Sequence, residues 1–120
     1  MFSILINAYA CSPDMGSEPG MAWNWCVNLA NYCELHIITE GEFRDKIEAV
    51  VPTLPQGRNM HFYYNPVSEE VRKMCWNQGD WRFYKHYHAW QYRTYEIALG
   101  IIKIYHIDIA VSYTHLRAHE

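Results

Sequence analysis

At 120 residues with 50% hydrophobic content, the chain is long enough to bury one core and too short for two domains. Ten Lys and Arg against thirteen Asp and Glu give a formal charge of −3 with no basic cluster, which argues against a nucleic-acid partner. There is no run of about 18 apolar residues, and Met1-Phe2-Ser3 carries no positive charge ahead of its short apolar run, so a soluble, cytoplasmic chain is expected.

Residues 2–6 form the kind of apolar run that a buried parallel strand shows. Further on, Met21, Trp25, Leu29 and Cys33, flanked by Ala22, Cys26 and Ala30, recur at i, i+4 spacing and predict a helix. A plain strand-to-helix connection needs only about 2 to 6 residues. The one between these elements is longer, rich in small and polar groups, and has no apolar anchor of its own. It reads as a binding loop. Gly16 and Gly20 allow close backbone approach, Pro19 fits a first helical turn, and a helix N-terminus offers unpaired N–H groups to an anion. Gly16, Ser17, Glu18 and Gly20 are therefore the candidate substrate or phosphate-binding residues. An anion there should meet the Gly16 and Ser17 backbone, because the Glu18 carboxylate would repel it. The competing reading makes Ser17 or Glu18 a plain helix cap, with Glu18 complementing the helix dipole.

The order then stays strand, helix, strand. Residues 35–39 predict a second strand ending at Glu40-Gly41, residues 43–51 a short helix stopped by Pro52, and residues 60–64 a third strand after the Pro55-Gln56-Gly57 turn. From about residue 81 to 105 no proline interrupts the chain, and Tyr84, His88, Gln91, Tyr95, Ala98, Ile102 and Tyr105 recur at helical spacing. Residues 107–110 begin a fourth strand. Such alternation predicts an α/β fold, a Rossmann-like parallel sheet with helices on both faces. Ligands in that architecture bind beyond the carboxyl ends of the strands, where residues 9–20 lie. No repeat, linker or low-complexity run divides the chain.

Other conspicuous residues have structural readings. The long helix holds the aromatics Trp81, Phe83, Tyr84, Tyr87, Trp90, Tyr92 and Tyr95, and rings at helical spacing pack a core more often than they form a sugar-stacking platform. His86 and His88, two apart, point in different directions, so no metal site is expected. Glu69-Glu70 with Arg72-Lys73 reads as an exposed helical face. Cys11, Cys26, Cys33 and Cys75 lack C-x-x-C or zinc spacing and are expected to be reduced core thiols. Cys11 differs in lying on the loop, where a helix N-terminus would stabilise a thiolate, although no base is visibly paired with it.

The run INAYACSPDMGSEPGMAWNW resembles the start of bacterial two-domain, B-type retaining glycosyltransferases that have a glycosyltransferase 4-like N-terminal domain. Tyr9, Cys11, Ser12 and Pro13, then Gly16 to Gly20, then Trp23 and Trp25 stand where that subgroup carries them. Trp90-Gln91, Tyr95 and Ala98, leading to Ile107-Asp108-Ile109, look like the family's helix and following strand. The resemblance covers roughly residues 2–110. It implies the incomplete N-terminal, acceptor-side half of a hexosyltransferase-like enzyme of polysaccharide biosynthesis. Such an enzyme transfers a sugar from a nucleotide-diphosphate donor to a cell-surface glycan or lipid-linked acceptor, without cofactor or metal, and its full-length form would associate peripherally with a membrane. This part would lack the catalytic C-terminal domain and be inactive alone. In the family a histidine often stands three positions after the strand-four aspartate; after Asp108 that position is Val111, so no catalytic residue is assigned. Residues 111–120, VSYTHLRAHE, resemble one reading frame of a sequencing-library transposase adapter. The expectation is thus a partial domain at 1–110 and a non-native tail at 111–120. Two other classes stay open: a nucleotide-sugar epimerase of the same two-domain architecture, and a stand-alone nucleotide-binding module.

Overall fold

In the computed structural model, which describes residues 1–77 and 79–113, strands and helices alternate along the chain. They are β1 (Phe2–Ala8), α1 (Ser17–Leu29), β2 (Cys33–Thr39), α2 (Arg44–Val50), β3 (Met60–Tyr64), α3 (Glu69–Trp76), α4 (Arg82–Ile104) and β4 (Ile109–Tyr113). Two 3-10 turns, Val51–Thr53 and Gly57–Asn59, link α2 to β3. The four strands form one parallel sheet in the order β3-β2-β1-β4, compatible with a Rossmann-like fold.

Side chains alternate between the sheet's two faces. Ile4, Ile6, Ala8, Leu35, Ile37 and Met60 pack with Ala22, Trp23, Cys26 and Ala30 of α1 and Ile47 of α2. On the other face Leu5 and Ile38 meet Val71 and Met74 of α3 and Phe83, Tyr87, Trp90 and Ile101 of α4. Helices cover both faces, which is why β1 and β2 read as nearly continuous apolar runs.

Two helices turn a different side inward from the one their spacing suggests. In α1 the stripe of small residues, Ala22, Cys26 and Ala30, lies fully buried, while Met21 is 59% and Trp25 37% exposed. Small side chains let the helix approach the sheet closely; Trp23 also turns inward, stacked on Phe62 at 6.2 Å, while Met21 and Trp25 are left outside. Cys33 is not helical; it opens β2 opposite Phe2, because α1 ends at Leu29 and the Tyr32 N–H closes a turn on the Leu29 carbonyl. In α4 the buried residues are Phe83, Tyr87, Trp90, Thr94 and Ile101, whereas Tyr84, Tyr95, Ile102 and the following Tyr105 are exposed. Only three of the seven aromatics, Phe83, Tyr87 and Trp90, therefore serve the core. Trp90 is fixed by polar bonds as well: its indole N–H donates to the Asn65 carbonyl at 2.7 Å, and Asn65 Nδ2 donates to Thr94 Oγ1 at 2.9 Å.

At the amino edge of the sheet Asp108 joins β4 to β1. Its N–H donates to the Ser3 carbonyl at 2.9 Å, and its Oδ2 accepts the Ser3 N–H at 2.8 Å. Of the residues read as an adapter-derived tail, Val111, Ser112 and Tyr113 complete β4, with Val111 opposite Ile6 and Tyr113 stacked on Trp25 at 5.6 Å. Residues 114–120 lie outside the described residues. Among the described residues no helix is long and apolar enough to cross a membrane.

His36 lies buried in β2, paired in register with His61 of β3, and the two rings stack at 4.9 Å. Tyr105 packs on His36 at 4.5 Å, Tyr63 Oη bonds its Nδ1 at 2.8 Å, and Glu34 pairs with His61. Burial, reinforced by the facing His61, holds the His36 pKa below its ordinary 6.5. A depressed pKa means that stability is fully present above about pH 6.5 and declines as pH falls through that value. The urea midpoint should be flat from pH 8 to 7 and fall between pH 6.5 and 5, with His36→Phe removing most of the fall. An equally steep fall in the variant would assign the effect elsewhere.

Candidate functional site

The carboxyl ends of β1 and β2 open into a cavity of about 490 Å³. Its walls come from Tyr9 and Ala10 after β1, Ser17 and Glu18 at the start of α1, residues 39–43 after β2, residues 74–77 at the end of α3, and the turn into α4. The position is the one expected for ligands in a parallel α/β sheet.

Tyr9 anchors the floor. Its carbonyl accepts the Glu40 N–H and the Thr39 hydroxyl, both at 3.0 Å, and its ring meets Phe83, Tyr87 and Trp90 edge-on with centroids 4.9 to 5.6 Å apart. Burial raises the phenol pKa well above its usual value, so Tyr9 stays neutral. Beyond it, Glu40 is 1% exposed. Arg72 of α3 grips this carboxylate through Nε at 2.9 Å and Nη2 at 2.7 Å, and the N–H groups of Val67 and Glu42 donate to it at 3.0 and 3.1 Å. Arg72 is thus a half-buried partner of a buried carboxylate and not simply part of a solvated helical face, and its planar guanidinium meets the carboxylate with two donors.

After Glu40 the chain turns through Gly41, whose φ of +106° suits glycine alone among common residues. Both Glu42 carboxylate oxygens then accept the Trp76 indole N–H, at 3.0 and 3.1 Å. Phe43 meets Trp76 edge-on at 6.4 Å, and the indole remains 51% exposed. Opposite, Asp80 pairs with Arg82 at 2.7 Å and caps the start of α4 by accepting its N–H at 3.1 Å. The Arg82 guanidinium holds the Asp80 pKa below the usual carboxylate range. Four carboxylates, Glu18, Glu40, Glu42 and Asp80, therefore line the cavity, and among the described residues no Lys, Arg or His lines it.

Of the loop residues expected to hold an anion, Ser17 and Glu18 line this cavity, whereas Gly16 and Gly20 do not. A Cβ on Gly20 would lie 1.8 Å from the Met15 carbonyl oxygen, so this glycine serves close packing inside the loop; a Cβ on Gly16 would meet nothing within 4 Å. Pro19 is the third residue of α1 and supplies no N–H, while its carbonyl accepts the Ser12 N–H at 3.1 Å. The N-cap, Gly16, makes no side-chain capping bond, so neither Ser17 nor Glu18 is a conventional cap; Glu18 is the acidic residue of the first turn. Ser17 has φ +53°, a left-handed conformation that costs a non-glycine residue about 1–2 kcal/mol. Such strain clusters at binding sites.

Neither Cys11 nor Cys75 is poised for chemistry. Cys11 is buried and hydrogen-bonded to Cys26, which, with burial, raises its pKa well above normal, so a thiolate on the loop is ruled out at neutral pH. Cys75 lines the cavity, but burial pushes its thiol up to about 12. Among the described residues there is no cluster of three or more metal-ligating side chains. Comparisons with protein-family models, curated proteins and solved structures return no match for this chain.

Sequence reasoning had not singled out Glu40, Glu42, Trp76 or Asp80. For the first two a signal existed, since Glu40-Gly41-Glu42 directly follows a strand at the carboxyl edge. Arg72→Met should destabilise the fold by about 3 kcal/mol by stranding Glu40, and adding Glu40→Leu should recover part of that loss in urea titrations. Gly20→Ala should cost about 3 kcal/mol through the Met15 contact, against less than about 1 kcal/mol for Gly16→Ala. Equal losses at the two glycines would remove the packing role assigned to Gly20.

Proposed function

We propose that the chain is the acceptor-side domain of a two-domain, B-type retaining glycosyltransferase. The complete enzyme transfers a sugar from a nucleotide-diphosphate donor to a glycan or lipid-linked acceptor in cytoplasmic assembly of surface polysaccharide. One observation carries the reading: Tyr9, Ser17 and Glu18, three residues of the run that resembles that family, stand on the wall of the cavity at the carboxyl edge of the sheet. The strand order β3-β2-β1-β4 and the strained Ser17 at the rim support it.

The chemistry of the walls divides the labour between the two halves of the enzyme. With Pro19 lacking an N–H and Glu18 adding negative charge, the α1 terminus is a weak sole holder of a diphosphate. Donor phosphates belong mainly to the second domain, with the Gly16 and Ser17 backbone at the cleft between them. The cavity in this domain orients the acceptor hydroxyl, and positioning of that kind lowers the barrier by avoiding the entropy cost of a bimolecular encounter. Saturation-transfer NMR on the 120-residue chain tests the assignment. Neutral oligosaccharides should show transfer and nucleotide-diphosphate sugars at equal concentration should not. Transfer to the nucleotide moiety alone would favour a stand-alone nucleotide-binding module instead.

A further inference from the structure

Resting on that reading of the cavity, we infer that it is a carbohydrate subsite selective for neutral or amine-bearing sugars and closed to anionic ones, with Trp76 as its stacking platform and Glu42 as the polar contact.

An indole on a cavity wall is ordinarily free to rotate. Here Trp76 is fixed on two sides, by its N–H on both Glu42 oxygens and by the edge-on Phe43 ring, yet half of its surface stays open. Its apolar, electron-rich face suits the C–H side of a pyranose ring or a nearby ammonium group. A carboxylate has about four acceptor positions, and the shared indole proton leaves others on Glu42 for a hydroxyl or ammonium donor beside the ring. The same side chain thus orients the platform and supplies the acceptor for the group stacked on it.

Selectivity follows from the charge on the walls. Glu40 and Asp80 are matched by ion pairs with Arg72 and Arg82, whereas Glu42 is bonded to an indole N–H and feels Arg72 only through its longer-range charge. Arg72 and Lys73 do not line the cavity; they border a neighbouring shallow depression on the other side of Glu42 and Trp76, which line both. A uronate or a sugar phosphate would meet carboxylates on the cavity walls, and among the described residues the cations beside those walls, Arg72 and Arg82, are already held by Glu40 and Asp80. A sugar hydroxyl or amine meets acceptors.

The test is a two-dimensional 1H–15N NMR titration of the 120-residue chain at pH 7 with methyl glucoside, methyl glucosaminide and methyl glucuronide. The Trp76 indole signal is identified by its loss in Trp76→Phe. The glucoside and glucosaminide should shift that signal and bind at least tenfold more tightly than the glucuronide. In Glu42→Gln, which keeps an oxygen for the indole but removes the charge, the discrimination against glucuronide should shrink at least threefold. Equal binding of all three sugars at Trp76 would overturn the charge selectivity and leave the acceptor reading standing. No shift with any of the three, when the oligosaccharides also fail to show saturation transfer, would overturn the acceptor reading and this inference together.

Discussion

A buried carboxylate sets the shape of the ligand-binding edge. Glu40 stands where β2 leaves the sheet, and without partners it would cost several kcal/mol to keep there in charged form. Four donors meet it: two from the Arg72 guanidinium and the backbone N–H groups of Val67 and Glu42. They come from three stretches of chain, so satisfying one side chain aligns the β2 exit, the β3 to α3 connection and α3 itself. The position of Trp76 at the end of α3, within reach of Glu42, follows from that alignment.

The sheet divides its duties along the strands. Toward its amino edge and middle lie groups that serve cohesion: the Asp108 clamp on Ser3 and the stacked His36 and His61. At the carboxyl edge lie exposed aromatic surface and charge, with Ser17 in an unfavourable backbone conformation. The clamp and the histidine stack are thus kept apart from the groups available to a ligand, whereas the Glu40–Arg72 pair stabilises the fold at the cavity itself. Adjustment of the loops at one edge leaves the strand register at the other undisturbed.

Much of this was legible in the sequence, for reasons that can be assigned. Residues 60–64 were read as a strand at the bounds β3 occupies, because strand formers there sit between a Pro-Gly turn and Asn65-Pro66. The alternation of strands and helices gave the parallel sheet in the same way. Helix faces were harder, since α1 and α4 carry apolar residues on more than one side and periodicity alone cannot choose between them. For α1, the core takes the small Ala22, Cys26 and Ala30 together with the large Trp23, a set that no single stripe of the pattern describes. The first wall of the cavity was visible in the length and composition of the β1 to α1 loop. Its opposite wall was only partly so: Glu40-Gly41-Glu42 follows a strand, but the Trp76 that meets Glu42 lies 34 residues away and no local pattern announces the pairing. The role of Gly20 was hidden for a similar reason: it depends on a contact with the Met15 carbonyl that only the folded loop creates.

The side-by-side parallel pairing of β1 and β4 has a mechanical consequence. Phe2 begins β1 at one edge of the sheet, and Tyr113 ends β4 at the other, with the two strands hydrogen-bonded along their length. Tension applied between those two residues would pull neighbouring strands past each other lengthwise. The ladder from Ile4–Ile109 to Ala8–Tyr113 would share the load together and not open one bond at a time. Under a pull along that axis the sheet is loaded in shear, as a lap joint is, and not peeled apart.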